Sequence, residues 1–167
     1  MAIEIRQEFT VPSSVDTVWE VLTDPDAVVS CLPGARLRGK IGDRVYSGEI
    51  GVRAGPVVAV FAGILRFDEL DKSKRRARMT GSGKARAIGR IDLAMSSFLS
   101  EASTGGTQVR ILQSLKLRGR IGLIGSSGFA RPAADALFGR FAKNLRTKVA
   151  ERERRSADGD EISGGRV

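Results

Sequence analysis

Apolar and polar residues alternate along most of this chain, which is typical of strands with one buried face. The alternation begins at residues 3–11 and stops at Pro12. It resumes after residue 35, broken only by short Gly- and Asp-containing separators, and predicts strands at residues 36–41, 43–53, 57–70, 75–86, 88–100 and 107–119. Because the separators are so short, we expect the strands to follow one another as an antiparallel meander.

Two short helices are predicted between the first strand and the others. Ser13 fits an N-cap with Asp16 three residues later, and the apolar positions that follow share one helical face: Val15, Val18, Trp19 and Leu22. Asp24-Pro25 ends this helix, and a second helical turn is predicted from Asp26 to Cys31.

The stretch from Asp24 to Gly34 predicts a hinge at the mouth of the sheet, because two prolines and a glycine stop helices on either side of a short apolar turn. Its apolar side chains Val28, Val29 and Leu32 can either plug a core or cover a bound molecule. The sequence leaves both roles open.

A long helix is predicted to begin between Gly128 and Pro132 and to run to about residue 155. Its apolar residues recur every three or four positions, at Ala134, Leu137, Phe138, Phe141, Leu145 and Val149. The last segment, residues 156–167, is polar and aperiodic, which predicts a disordered tail. Residues 1–155 are therefore predicted to form one domain, as the length of the chain also favours.

One strand, two short helices, six strands and a long helix predict an α+β fold: a curved antiparallel sheet of about seven strands wrapped around the C-terminal helix. One face of the strand at residues 75–86 is built mostly of very small residues, Ala77, Met79, Gly81, Gly83 and Ala85. Such a face leaves space against a helix unless large side chains fill it. The alternative is that the glycines only bend the strands.

We predict that this space is a ligand-binding cavity. Its candidate lining residues are large apolar side chains from the short helices, the sheet and the long helix: Trp19, Val28, Leu32, Phe61, Met79, Phe98, Leu137, Phe138 and Phe141. Each of them taken alone fits an ordinary core position better than a cavity, so the prediction rests on the group as a whole.

The composition excludes several kinds of active site. Histidine is absent and Cys31 is the only cysteine, so the chain has no His-dependent nucleophile, no histidine ligand for a metal and no internal disulfide. We expect neither a metal ion nor another cofactor. The N-terminus lacks the apolar core of a signal peptide, which favours a cytoplasmic protein.

The net charge of +9, from 28 basic and 19 acidic residues, favours an anionic partner. Aromatic residues make up only 5% of the chain and none is interleaved with the arginines, so a nucleic-acid surface is not expected. An anionic membrane or an acidic protein fits better, and the candidate contact residues are Arg152, Arg154 and Arg155 at the end of the long helix.

The order of elements resembles the helix-grip fold of START-like (SRPBCC) and birch-pollen-allergen-like proteins, whose sheet and long helix enclose an apolar cavity. A narrower resemblance is carried by seven short segments: Phe9-Thr10-Val11-Pro12, Val18-Trp19-Glu20-Val21-Leu22, Asp24-Pro25, Cys31-Leu32-Pro33-Gly34, Gly55-Pro56-Val57-Val58-Ala59, Phe61-Ala62-Gly63 and Phe141-Ala142-Lys143-Asn144-Leu145. With these segments the chain resembles, over roughly residues 1–150, the CoxG family of carbon monoxide dehydrogenase subunits.

The resemblance implies an accessory protein of a molybdenum hydroxylase such as carbon monoxide dehydrogenase, linking it to the membrane and its quinone pool. Members of the family commonly continue into a C-terminal membrane anchor, whereas this chain ends in a short polar tail. The expected location is therefore cytoplasmic, with peripheral contact at the inner face of the membrane.

The leading hypothesis is a non-catalytic protein that binds a lipophilic, quinone- or lipid-like molecule. A first alternative is a cyclase- or aromatase-like enzyme, which would need a polar residue inside the cavity; the candidates are Tyr46, Glu49, Arg53, Ser97 and Gln113. A second alternative is an assembly factor whose cavity stays empty.

Overall fold

A computed structural model describes residues 2–54, 56–122, 128 and 130–164 of the chain. Its strands are β1 (Ala2–Val11), β2 (Ala35–Gly42), β3 (Val45–Ala54), β4 (Val57–Asp71), β5 (Arg76–Ala85), β6 (Gly89–Glu101) and β7 (Thr107–Arg118). Its helices are α1 (Val15–Leu22), α2 (Pro25–Cys31) and the long α3 (Ala130–Gly164). Gly55, which belongs to one of the segments carrying the family resemblance, lies outside the described residues.

The seven strands form one antiparallel sheet in the order β1-β7-β6-β5-β4-β3-β2. Consecutive strands from β2 to β7 are neighbours, and β1 pairs with β7, so that β1 and β2 are the two edge strands. The α+β meander with a long C-terminal helix is therefore confirmed, and each of the seven strands lies within a few residues of its predicted position.

The strand register defines two faces of the sheet, because residues directly opposite each other in an antiparallel pair point to the same side. Met79 of β5 is directly opposite Phe67 of β4 and Met95 of β6, and all three side chains are buried in the cluster that includes residues of the helices. We call this side the inner face. On β5 it carries the small residues that the alternation predicted, since Ala77, Met79 and Ala85 are buried.

The two short helices begin where polar side chains cap them. Ser14, and not the predicted Ser13, caps α1, because its Oγ accepts the backbone N–H of Thr17 at 3.2 Å while Ser13 is buried. Asp24 caps α2, so that this helix begins at Pro25, one residue earlier than predicted.

The core consists of two separate clusters of buried side chains. The larger one packs α1, α2 and the middle of α3 against one end of the inner face, with Trp19, Met79 and Phe141 among its members. The smaller one lies at the other end of the sheet and includes Phe61 and Phe138. The part of the inner face between them is where a bound molecule would have to lie.

Glycine is required where the middle strands bend. Gly48, Gly63 and Gly83 lie opposite one another on β3, β4 and β5. A Cβ built on Gly63 would come within 1.7 Å of the backbone oxygen of Ser82, so the backbones of β4 and β5 leave no room for a side chain there. At this position the glycine permits the curvature of the sheet, which is the alternative that the sequence left open.

Helix α3 continues beyond the predicted end of the domain. Residues 156–158 are helical with exposed side chains, and the helix ends at Gly164. The predicted disordered tail, residues 156–167, thus begins inside this helix, and residues 165–167 lie outside the described part of the chain. The domain boundary at residue 155 stays a prediction.

Candidate ligand-binding site

Half-buried leucines occupy the inner face and the facing helices between the two core clusters. On the sheet they belong to four strands, and on the helical side to α2's C-cap and to α3: Leu37, Leu65, Leu93, Leu115, Leu32 and Leu137. Because the sheet leucines point toward the helices, their partial exposure indicates that the helices do not fully cover this part of the inner face. We call this region, bordered by the six leucines, the leucine gap.

The small residues of β5 form the floor beneath the leucine gap. Gly81 pairs with Leu65 on one side and with Leu93 on the other, so that no side chain separates these two leucines. A Cβ at Gly81 would contact the Leu65 side chain at 3.3 Å. The small residues singled out from the sequence thus lie beside two leucines of the gap, and a cavity at this place stays a prediction.

Most of the predicted lining residues are core residues. Four of them are buried in the larger cluster and two in the smaller one: Trp19, Val28, Met79 and Phe141, then Phe61 and Phe138. Leu32 and Leu137 are the two predicted residues that border the leucine gap. Phe138 and Phe141 follow Leu137 along α3 by one and by four positions, and they belong to the smaller and to the larger cluster, respectively.

Phe98 lies on the opposite side of the sheet. Its strand neighbours Ser97 and Leu99 are buried on the inner face, whereas the Phe98 ring is covered by the guanidinium of Arg110, with 5.0 Å from Cζ to the ring centroid. The structure therefore does not bring Phe98 together with the other predicted lining residues. Its outward position follows from the alternation of β6.

Four leucines of the gap were missed by sequence reasoning: Leu37, Leu65, Leu93 and Leu115. The alternation within each strand places them on the inner face. The sequence does not show the register between strands, which places Leu65 and Leu93 on either side of Gly81. Without the register, these leucines could not be grouped into one site.

Polar side chains border the gap on β7 and on the two strands beside it. Gln113 is 4% exposed and lies opposite Met95 and Ile5 on the inner face. Its Nε2 donates to the Met95 sulfur at 3.7 Å, while no donor among the described residues reaches its buried Oε1. Ser97, 5% exposed, and Gln7 lie on the same face of the two adjoining strands.

The other polar candidates divide between the two faces. Tyr46 is on the inner face, where its ring stands edge-on to Phe67 with 6.3 Å between centroids. Glu49 lies on the outer face and binds Arg38 at 2.7 Å, and Arg53 pairs with the outward-facing Val58.

Charged side chains avoid the inner face. Among the described residues of β1 and of β3 to β7, the register gives one charged side chain an inner-face position, Glu101, which is exposed at the end of β6 beyond the larger cluster. On the edge strand β2, Lys40 lies opposite Tyr46, but it follows a break in the register and is exposed. The space next to the sheet is therefore suited to an uncharged molecule.

The stretch from Asp24 to Gly34 combines the two roles that the sequence left open. Val28 and Cys31, each 1% exposed, are core residues, while Leu32 is half-buried at the gap. Burial raises the pKa of the Cys31 thiol above its ordinary value, which keeps it protonated and unreactive near neutral pH. The segment therefore packs into the core with the residues of α2, and only Leu32, directly after α2, borders the gap.

The outer surface carries two shallow depressions. One, of about 350 Å³, lies over β4 to β7 and is lined by mostly polar outward-facing residues such as Thr80 and Asp92. The other, of about 510 Å³, lies at the β5–β6 turn and the end of β7, and its charged residues are basic: Lys84, Arg86, Arg90, Arg118 and Arg120. Neither depression faces the helices.

The three predicted contact arginines differ in their surroundings. Arg152 is bound to Asp24, with 3.0 Å between Nη2 and Oδ2, and both side chains are one-third exposed. Arg154 and Arg155 are exposed. Among the described helices, none is long and apolar enough to cross a membrane.

A sequence profile of the CoxG family of carbon monoxide dehydrogenase subunits matches residues 8–150. No curated protein matches the chain by sequence. Among solved structures, a conserved protein from Geobacillus kaustophilus is similar with a TM-score of 0.79 and 19% identity, over 89% of this chain and 96% of that one.

Two enzymes have the same fold. The Zhui aromatase/cyclase from Streptomyces sp. R1128 is similar with a TM-score of 0.60 and 19% identity, over 93% of this chain and 96% of that one. A point mutant of norcoclaurine synthase from Thalictrum flavum, solved in complex with a transition-state analogue, gives a TM-score of 0.61 and 15% identity, over 92% and 97% of the two chains. At these identities the similarity shows the helix-grip fold.

Proposed function

The chain belongs to the CoxG family of carbon monoxide dehydrogenase subunits, and from that premise we propose that it holds a lipophilic small molecule in the leucine gap without transforming it. The observation that carries this proposal is the separation of the core into two clusters, with half-buried leucines between them on surfaces that face each other. Ordinary cores are close-packed, so apolar side chains left partly exposed inside the fold favour a guest.

The size of the apolar contact sets the expected affinity. A guest that buries about 300 Å² of apolar surface gains about 7 kcal/mol at ~25 cal/mol per Å². The loss of translational and rotational freedom on association offsets part of this gain, so micromolar dissociation constants are expected. The norcoclaurine synthase complex supports the proposal, because it holds a small molecule in the same fold.

For the chemistry of the guest and of the partner we propose a quinone- or lipid-like molecule and a molybdenum hydroxylase such as carbon monoxide dehydrogenase. Support comes from the family's name and from the apolar border of the gap. The protein would then work in the cytoplasm, with weak contact between its basic surface and anionic lipid. If the tagged chain is purified from its own cells, the molybdenum hydroxylase should be purified with it. Molybdenum should then be detected in the eluate by elemental mass spectrometry.

Calorimetric titration with decylubiquinone tests the binding itself. The wild-type chain should bind with a micromolar dissociation constant, and Leu93→Trp should weaken binding at least tenfold because the larger side chain enters the gap. Leu112→Trp is the matched control, since Leu112 is exposed on the outer face of the sheet. The proposal fails if the wild type binds no quinone and organic extracts of the purified protein contain no hydrophobic compound, a result that would favour the assembly factor.

A further inference from the structure

Two glutamine side chains on the inner face have buried acceptors without a donor. The Oε1 atoms of Gln113 and Gln7 are inaccessible to solvent, and no described residue donates to either. Gln113 is 4% exposed in all, so it is as buried as the core residues around it. Unsatisfied buried acceptors are rare in proteins, and each one needs a physical reason.

The strand register places these groups beside the leucine gap. Gln113 is two residues before Leu115 on β7, and both point to the inner face. Gln7 lies diagonally across from Gln113, since Ile5 is directly opposite Gln113 and Gln7 is directly opposite Ile111. The two carboxamides thus stand together at the boundary between the larger and the smaller core cluster.

The unpaired atom of the Gln113 side chain is its amide oxygen, Oε1, and not its amide nitrogen. Its Nε2 already faces the Met95 sulfur, a weak acceptor, and turning the amide over would put oxygen against that sulfur. The atom directed elsewhere is therefore an acceptor, which requires an O–H or N–H donor. A leucine at this position would be equally buried without leaving a polar atom unpaired.

We propose that the polar end of the bound lipophile carries a hydroxyl group that donates to Gln113 Oε1, while its apolar part fills the leucine gap. Because this oxygen is closed to solvent in the unliganded chain, the hydroxyl reaches it by displacing the side chains that cover it. The inference rests on the proposed function, because it specifies the ligand of the same site. Gln7 supplies a second acceptor next to the first, which suits a ring or chain with a hydroxyl end. A molecule whose polar end carries only acceptors, such as a methylated hydroxyl or an oxidised quinone, leaves both oxygens unpaired. Among quinone-like ligands, the reduced quinol form is therefore the one that pairs with Gln113.

The test compares 4-heptylphenol with 4-heptylanisole, which differ only in that hydroxyl. Calorimetric titration of the wild-type chain should give about tenfold tighter binding of the phenol, as expected for pairing one buried acceptor. Gln113→Leu should bind the anisole as the wild type does and lose the preference for the phenol. Gln108→Leu, the same change on the outer face of the same strand, should keep it.

The possible results separate the two proposals. If the wild type binds both compounds equally, the hydroxyl inference is overturned while ligand binding stands. If neither compound binds while decylubiquinone does, the hydroxyl inference is overturned and the proposed function stands. If decylubiquinone does not bind either and organic extracts contain no hydrophobic compound, the proposed function itself fails. Should Gln113→Leu not fold, Gln7→Leu takes its place, with a reduced preference for the phenol expected and an unchanged preference counting against the inference.

Discussion

Asn144 of α3 donates a hydrogen bond from its Nδ2 to the backbone carbonyl oxygen of Cys31, at 3.0 Å. Cys31 is the last residue of α2, and carbonyl groups at the end of a helix have no partner within the helix. The bond therefore ties the end of α2 to the long helix directly before Leu32, which borders the leucine gap. It makes the position of Leu32 depend on α3.

Asn144→Ala should loosen this border of the gap. Loss of the bond should lower the free energy of unfolding by about 1 kcal/mol. It should also raise the dissociation rate of a bound quinone analogue, because Leu32 is held less firmly. Urea unfolding and stopped-flow fluorescence measure the two effects. The control is Thr147→Ala, which removes only a bond within α3, and equal dissociation rates in both variants would contradict this role of Asn144.

The fold was predictable because its determinants are local. Alternating residues define each strand, and the separators between strands are too short for any connection but a hairpin. The two short helices were each predicted one residue away from their actual start, whereas the long helix begins within the predicted range. For α1 the reason is that Ser13 and Ser14 are both good caps, and only the structure shows that Ser13 is buried. Propensity cannot choose between two adjacent serines.

The residues of the candidate site could be predicted only in part. The site is defined by half-buried leucines, and whether a leucine is half-buried depends on the distance between α3 and the sheet, which the sequence does not show. Large aromatic residues such as Phe61 and Phe141 were expected at a cavity, yet their size makes them the residues that fill the two clusters. The residues left at the gap are the leucines between the clusters. Phe98 was assigned to the wrong face because apolar and polar residues do not alternate in the segment Ser96-Ser97-Phe98-Leu99. The sequence there does not show which residues point inward.

Gly63→Ala should destabilise the protein severely. A Cβ at this position meets the Ser82 backbone oxygen at 1.7 Å, so β4 and β5 would have to separate. We expect a loss of at least about 3 kcal/mol in the free energy of unfolding. Gly139→Ala is the matched control on the exposed side of α3, where nothing lies within 4 Å, and it should stabilise the protein by about 0.5–1 kcal/mol. Similar stabilities of the two variants in urea would contradict the requirement for glycine at residue 63.

Cys31 should make stability fall at alkaline pH. Its pKa is raised in the folded protein by burial, so the unfolded chain releases the thiol proton first. The contribution is fully present below the ordinary pKa of 9.0 and is lost as the pH rises through the folded value. The difference in unfolding free energy between wild type and Cys31→Ala, measured by urea titration from pH 8 to pH 10, should shrink. A difference that stays constant would mean that the thiol is not desolvated.

The end of α3 is the predicted site of contact with a membrane. Arg152 is engaged with Asp24, which leaves Arg154 and Arg155 as the exposed cations of this group. Arg154→Gln/Arg155→Gln should therefore weaken sedimentation with vesicles containing 30% phosphatidylglycerol by about tenfold, at roughly 1 kcal/mol or less per cation. Attachment of the wild type should also fall as salt is raised from 50 to 300 mM, because the Debye length shortens.

The control for this experiment removes the same net charge elsewhere. Arg36 and Arg38 are exposed on the outer face of β2, where both interact with Glu49. If the end of α3 is the contact, Arg36→Gln/Arg38→Gln should change vesicle binding less than threefold, because these side chains would not approach the lipid surface. Equal losses in the two double variants would show that net charge alone drives the association, and the assignment of the contact to Arg154 and Arg155 would then be wrong.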